Sequence, residues 1–262
     1  MNNKNQTNSG LPLAIIGVVL LAAIVGGWWF YQNSKSQASK PKTNVNQKTD
    51  DAAALSRYAS APPGAQPSNM LGSPSAVVTV EEFADFQCPT CAVQHPKMKE
   101  IISLYGNRIK FIFRNFPLNQ AHPKAYDAAV AAEAAQLQGK YWAMQDQLFT
   151  NQQKWATAPD ARKLFEEYAQ KIGLDVAKFQ SDMLGLPAKT RVDADMQRGR
   201  ALGINGTPTV FINGRQLTFE MFGVESMRQI IDAELQKATN QTQSNQSTIP
   251  SAGSTDNSAE NK

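Results

Sequence analysis

The only two cysteines of this chain, Cys88 and Cys91, stand three positions apart in the segment Cys88-Pro89-Thr90-Cys91. An apolar run from Ala76 to Phe86 comes just before them, so the pair falls where a strand gives way to a helix. Pro89 suits a first helical position, because its missing N–H is not needed there and its φ is already helical. A helix starting there puts Cys88 at its N-terminal edge, where unpaired backbone N–H groups and the macrodipole favour a thiolate over a thiol. CxxC cysteines in that position have pKa values of about 3.5 to 7, against about 8.5 for a free one. Thiolates are the attacking species in disulfide exchange, so Cys88 reads as the nucleophile. Cys91, one turn deeper, reads as the thiol that resolves a mixed disulfide.

Two plainer readings compete. A CxxC is half of many zinc sites, but zinc normally takes four ligands, and only His95 and His122 remain, with no second CxxC or HxxxH pair. A purely structural disulfide is the other, although a ring this short removes little chain entropy.

Hydrophobic residues at 42% and charged residues at 18% suit one globular domain with additions at its ends. The net charge of +4 comes without a Lys/Arg cluster, so nucleic acid is not an expected partner. Residues 1–10 are polar, and Leu11 to Tyr31 then carries no charge. That is about 20 residues, enough to cross a hydrocarbon core, with Trp28, Trp29 and Tyr31 suited to an interfacial belt. A cleaved signal peptide would have a shorter apolar region and a small-residue cleavage site, for which Ser36-Gln37-Ala38 is the nearest match. The expectation is an uncleaved single-pass anchor at 11–31. Lys35, Lys40 and Lys42 follow the span and only Lys4 precedes it, which by local counting would hold the C-terminal side inside. Long domains translocate largely regardless of such charges, and a CxxC domain belongs where disulfides persist. The expected location is therefore the cytoplasmic membrane, with the domain on its outer, periplasmic or extracellular side.

Composition shifts to Ser, Asn, Gln, Lys, Ala and Pro over 32–75, which reads as a flexible linker, and 238–262 reads as a disordered tail. Between them, 76–237 reads as one folded domain. Ala76–Phe83 predicts a strand, followed by a helix to about Tyr105 with a kink at Pro96, and then a strand over Arg108–Phe116. The pattern is helical from about 121 to 203, with segments at Lys124–Leu137, Tyr141–Phe149, Ala161–Ile172, Val176–Leu184 and Ala188–Leu202. Thr209–Ile212 predicts a strand, Asn213-Gly214 a hairpin turn into Gln216–Phe219, and Val224–Lys237 a last amphipathic helix.

That order is α/β and is similar to a thioredoxin fold with an inserted all-helical subdomain. The segment from Glu82 to Cys91, EFADFQCPTC, together with Gly206–Gly214, GTPTVFING, resembles the DsbA family of extracytoplasmic thiol–disulfide oxidoreductases, in its membrane-tethered branch. The resemblance covers about 76–237. It implies that Cys88 is the exposed nucleophile and Cys91 the resolving thiol, with Pro89 and Thr90 between them. It implies that Pro208 is a cis-proline beside the cysteines and Thr207 a neighbouring backbone contact; the plain alternative for Pro208 is a strand-entry proline. Glu82 matches the acid buried beneath the active site of this family. It shares strand parity with Val78 and Val80, and a buried carboxyl has the raised pKa that suits a proton carrier; a solvated strand-end charge is the alternative for Glu81 or Glu82. Thr90 stands where well-known members often have a histidine, which leaves the redox potential open. His95 lies one turn after Cys91, and His122 opens the helical region.

The resemblance implies an enzyme that exchanges disulfides with unfolded or reduced secreted and envelope proteins, most simply as a disulfide donor. It implies no cofactor beyond the Cys88–Cys91 disulfide, no metal, and reoxidation by a quinone-linked membrane partner. A reductase or isomerase of the same fold, or a chaperone-like module that only grips peptides, are the other readings.

Overall fold

Two glutamates in a row, Glu81 and Glu82, sit in the central strand of a sheet that is covered on both sides, and the fold is arranged around how each is accommodated. The structure, a computed structural model, describes residues 45–247. The polar residues 1–10, the candidate span 11–31 and the tail beyond Ser247 lie outside the described residues. Among those described, no helix is long and apolar enough to cross a membrane.

Five strands form one sheet in the order β1-β3-β2-β4-β5. These are β1 (Asn69–Gly72), β2 (Val78–Ala84), β3 (Ile109–Asn115), β4 (Thr209–Ile212) and β5 (Arg215–Gln216). β2 runs parallel to β3, with Val80 opposite Phe111 and Glu82 opposite Phe113, and antiparallel to β4, with Glu82 opposite Val210. A parallel pair needs a crossover, and helix α2 (Pro89–Tyr105) supplies it. Between β3 and β4 the chain leaves the sheet for a run of helices: α3 (Ala125–Gln136), α4 (Tyr141–Thr150), α5 (Gln152–Thr157), α6 (Ala161–Lys171), α7 (Val176–Leu184) and α8 (Leu186–Ala201). The last helix, α9 (Val224–Ser247), packs with α2, where the Tyr105 hydroxyl donates to Asp232 at 2.7 Å. This is a thioredoxin fold with a helical insertion.

Strand alternation sends Val78, Val80 and Glu82 to the α2 face and Glu81 and Phe83 to the α8 face. On the α8 side Glu81 is bound by two arginines, Arg114 of β3 at 2.7 Å and Arg198 of α8 at 2.9 Å. Arg114 also reaches Asp195 at 2.9 Å. These charges are buried, and each has the partner that a buried charge requires.

Three boundaries differ from those the sequence predicts. The linker expected over 32–75 contains helix α1 (Val45–Ser60) and strand β1, so the folded part begins well before residue 76. Its Pro-rich middle is held by distant arginines: Arg198 donates to the Pro62 carbonyl at 2.9 Å, Arg114 to those of Pro63 at 2.8 Å and Ala65 at 3.1 Å, and Arg191 to those of Gln66 at 3.1 Å and Pro67 at 2.9 Å. Gly64 has φ +75° and lies so near Arg114 that a Cβ would meet Nη1 at 2.6 Å. At the other end, α9 continues past Lys237 to Ser247, because nothing before Pro250 breaks a helix. Finally, β5 stops at Gln216 and Phe219 enters a 3-10 turn over Phe219–Met221. The hairpin turn itself is as predicted, with positive φ at Asn213 (49°) and Gly214 (79°). Pro96 lies inside α2, and the helix continues through it.

Candidate active site

Cys88 occupies the N-cap of α2 with extended backbone (φ −73°, ψ 121°), and Pro89 opens the helix. Its sulfur therefore sits at the helix's positive end, as the sequence predicts. The Cys88 thiol lies 3.4 Å from the Thr207 carbonyl and donates to it. The Thr207–Pro208 peptide bond is cis. Strands β2 and β4 are neighbours in the sheet, and this places the loop before β4 against the start of α2.

The two sulfurs have opposite environments. A hydrogen bond from the Cys91 thiol, helped by the backbone N–H groups of Cys91 and Thr90 and by Thr207, brings Cys88 down to about 5 against the opposing effect of burial. The Thr207 hydroxyl is buried and has no partner beside the Cys88 thiol, so it is free to turn toward the thiolate. Cys91 is pushed well up by burial first, then by its hydrogen bond and charge interaction with Cys88 and by the Glu82 charge. The resemblance implies an exposed nucleophile, yet Cys88 keeps only 6% of its surface and Cys91 1%. Attack on Cys88 is confined to a narrow opening.

Glu82 is buried rather than a solvated strand-end charge, and burial alone pushes its carboxyl up to about 8. Glu81 is buried as well, but its arginine partners outweigh burial and hold it below the usual carboxylate range. The adjacent acids thus divide into a fixed anion on the α8 face and a carboxyl that favours its protonated form on the α2 face. Glu82 lines a cavity of about 80 Å³ with Met98, Phe111, His95, Gln145 and Asp146.

The loop that carries Cys88 is tied down from the helical insertion. Gln152, at the start of α5, donates its amide to the carbonyls of Phe86 at 2.7 Å and Cys88 at 2.9 Å. The Gln87 side chain accepts from the Lys124 N–H at 2.8 Å. Asp85 accepts from the N–H groups of Gln87 at 2.7 Å and Leu118 at 2.9 Å, and pairs with His122 Nδ1 at 2.7 Å. The His122 ring serves Asp85, while α3 starts only at Ala125. His95 pairs through Nε2 with Asp146 at 2.8 Å and stacks on Phe149 with ring centres 4.7 Å apart. Sequence reasoning finds Cys88, Cys91, Pro89, Thr90, Glu82, Thr207 and Pro208, and the structure brings them together. It misses Gln152, which has no local signal, since an isolated glutamine at the head of a six-residue helix looks like any surface residue. Among the described residues no cluster of three or more His, Cys, Asp or Glu side chains forms a metal site.

Comparison with known proteins agrees with this geometry. The thioredoxin family model, Thioredoxin_4, matches residues 65–233. The Na(+)/H(+) antiporter NhaA 1 of Mycolicibacterium gilvum is 36% identical over 152 residues, which is 56% of this chain and 24% of that protein. The chain thus spans about a quarter of the length of such curated relatives. A thioredoxin-like oxidoreductase from Silicibacter pomeroyi is 26% identical, with a TM-score of 0.54 over 65% of this chain and 92% of that one. The thiol-disulfide exchange protein alpha-DsbA2 from Wolbachia pipientis shares the fold at 19% identity, with a TM-score of 0.60 over 73% of this chain and 99% of that one. A family match over most of the chain, a CxxC at a helix N-terminus and a helical insertion between β3 and β4 together make this chain a member of the thioredoxin family.

Proposed function

We propose that this chain is a membrane-anchored thiol–disulfide oxidoreductase that works outside the cytoplasm and donates its Cys88–Cys91 disulfide to reduced or unfolded secreted and envelope proteins. The observation that carries the reading is the asymmetry of the sulfurs, one at the helix N-terminus against Thr207 and favouring the thiolate, the other buried above a carboxyl that retains its proton. A substrate thiolate attacks Cys88 Sγ, the Cys88–Cys91 bond breaks, and the electron pair leaves on Cys91, which takes a proton from Glu82. A second substrate thiolate then attacks the substrate sulfur of the mixed disulfide and expels Cys88 as the thiolate its surroundings favour. The protein is left reduced, and a quinone-linked membrane oxidase is the partner proposed to reoxidise it. The reaction needs no cofactor beyond the disulfide. Anchoring rests on the uncharged run 11–31, which is long enough to span a bilayer.

The test is the equilibrium reduction potential against glutathione buffers. A low Cys88 pKa stabilises the reduced form and makes the disulfide more oxidising. A value near 5 lies between those of thioredoxin, about 7, and DsbA, about 3.5. The expected potential falls between theirs, about −270 and about −120 mV. A potential at or below that of thioredoxin would turn the assignment to a reductase. No exchange at all, with peptide binding that survives Cys88→Ser, would leave a binding module.

A further inference from the structure

We propose that His95, held by Asp146, is the proton port of this active site, the group that relays a proton between Glu82 and solvent. The inference rests on the oxidoreductase reading and adds a residue and a route to it.

His95 stands one helical turn after Cys91 on α2, and Asp146 faces it from α4. Two hollows meet at this pair. The inner one is the cavity of about 80 Å³ that Glu82 lines, which is roomy enough to hold water. The outer one is a groove of about 520 Å³ bordered by Ala92, Pro96, Phe149 and Thr150. Only His95, Lys99 and Asp146 line both, so the two hollows adjoin at these three side chains. Lys99 and Asp146 are paired with each other at 2.8 Å. Of the three, only the imidazole carries both an N–H and a lone pair when neutral, and only an imidazole ordinarily changes charge between pH 5 and 8.

The ring is placed for transfer. With Nε2–H given to Asp146 at 2.8 Å, Nδ1 carries the lone pair that can take up a proton. Stacking on Phe149 restrains the ring, and Phe149 in turn packs on Phe86 beside the cysteine loop at 4.8 Å. The groups that bear on its charge are Asp146 of α4, which favours the imidazolium, and Lys99 of α2, which opposes it; Glu82 of β2 lines the same cavity. Burial and Lys99 outweigh Asp146, so His95 is neutral at physiological pH and takes a proton only in passing.

The proton balance closes in both directions. When a substrate thiolate bonds to Cys88 and Cys91 leaves as a thiolate, Cys91 takes the Glu82 proton. Glu82 is then reprotonated through cavity water by the imidazolium of His95, which has taken one proton from the groove. When the protein is reoxidised, Glu82 first releases its proton outward through the same groups, and Cys91 then gives its proton to the Glu82 carboxylate. One proton passes between the cavity and the groove for each Cys91–sulfur bond broken or made.

The experiment is stopped-flow reduction of the oxidised full-length chain by glutathione from pH 5.5 to 8.5, analysed at constant glutathione thiolate. His95→Gln is expected to slow the step about tenfold or more and to flatten its pH profile, with the reduction potential unchanged. Millimolar imidazole should restore most of the rate. Asp146→Asn, which keeps a hydrogen bond and removes the charge, should move the acidic limb to lower pH. A wild-type rate in His95→Gln, or a loss that imidazole does not restore, would overturn the port. Glu82→Gln should also be slow, and imidazole should not rescue it. If Glu82→Gln is slow while His95→Gln is not, the oxidoreductase reading stands and the port falls. If the wild-type chain does not exchange with glutathione, the oxidoreductase reading itself falls.

Discussion

Glu81 and Glu82 are the same residue type one position apart, and what separates them is the face of β2 on which each stands. Glu81 meets Arg114 and Arg198 and stays an anion, whereas Glu82 meets the active-site cavity and keeps its proton up to about pH 8. A carboxyl whose pKa is higher in the fold than in the unfolded chain stabilises the fold fully below its unfolded pKa. That contribution is lost as pH rises from about 4.5 through about 8. At pH 7 most of the loss has occurred, and it amounts to about 3 kcal/mol. Glu82→Gln, which is neutral throughout, should therefore be more stable than wild type by about 1–3 kcal/mol at pH 7 and no more stable at pH 4. Urea unfolding of the oxidised protein at the two pH values reads this directly. Equal gains at both would show that the charge at position 82 is not what the fold resists. The gain in stability should accompany slower disulfide exchange, since the variant has given up its proton carrier.

The elements that could be read from the sequence are those whose own residues carry the pattern. Helix α7 (Val176–Leu184) and strand β4 (Thr209–Ile212) fall where amphipathic spacing and a β-branched apolar run place them. The CxxC and its helix are legible for the same reason, because proline at the first turn and an apolar strand before it are local signals. Helix α5 (Gln152–Thr157) is too short to show a period, and its function is not local at all. Its Gln152 donates to the carbonyls of Phe86 and Cys88, the second of which also accepts the first helical bond of α2, from the Ala92 N–H at 3.2 Å. The inserted helices thereby fix the geometry of a loop that the sheet alone would leave free. Gln152→Ala would take its donor from the Phe86 carbonyl and leave that of Cys88 with the Ala92 N–H alone, and one buried acceptor left without its bond is worth about 1–3 kcal/mol. The expected result is a loss of about 1–3 kcal/mol in urea unfolding, together with faster alkylation of Cys88 as its loop loosens. A variant with unchanged stability and unchanged Cys88 reactivity would show that the insertion is not the brace of this loop.

On the scale of the molecule, the segment from Ala61 to Pro67 is where local and distant information conflict. Three prolines and a glycine make it look like linker, and prolines offer carbonyls without N–H groups. Arg114 of β3 and Arg191 and Arg198 of α8 supply the missing donors from positions that local sequence cannot connect to it. Their guanidinium groups each face a carboxylate as well, Glu81 for Arg114 and Arg198 and Glu133 for Arg191, so the segment completes a buried ionic layer beneath the sheet. Arg198 also lies 4.8 Å over the Tyr58 ring, and Tyr58 packs on Phe211 of β4 at 5.3 Å. The Pro-rich stretch is thus a strap that joins α1 to the rigid domain. A chain beginning at Val45 keeps the strap and is the reference for the comparison. One beginning at Ser68 would leave three arginines short of five carbonyl acceptors. At about 1 kcal/mol or more for each lost bond, that deficit rivals the whole stability of a typical domain, about 5–15 kcal/mol. The shorter chain should therefore lose its cooperative transition or melt about 10–20 °C lower, about 2–4 °C per kcal/mol being usual at this size. If it melts within a few degrees of the longer one, water satisfies the arginines as well as the strap does, and the segment is a linker after all.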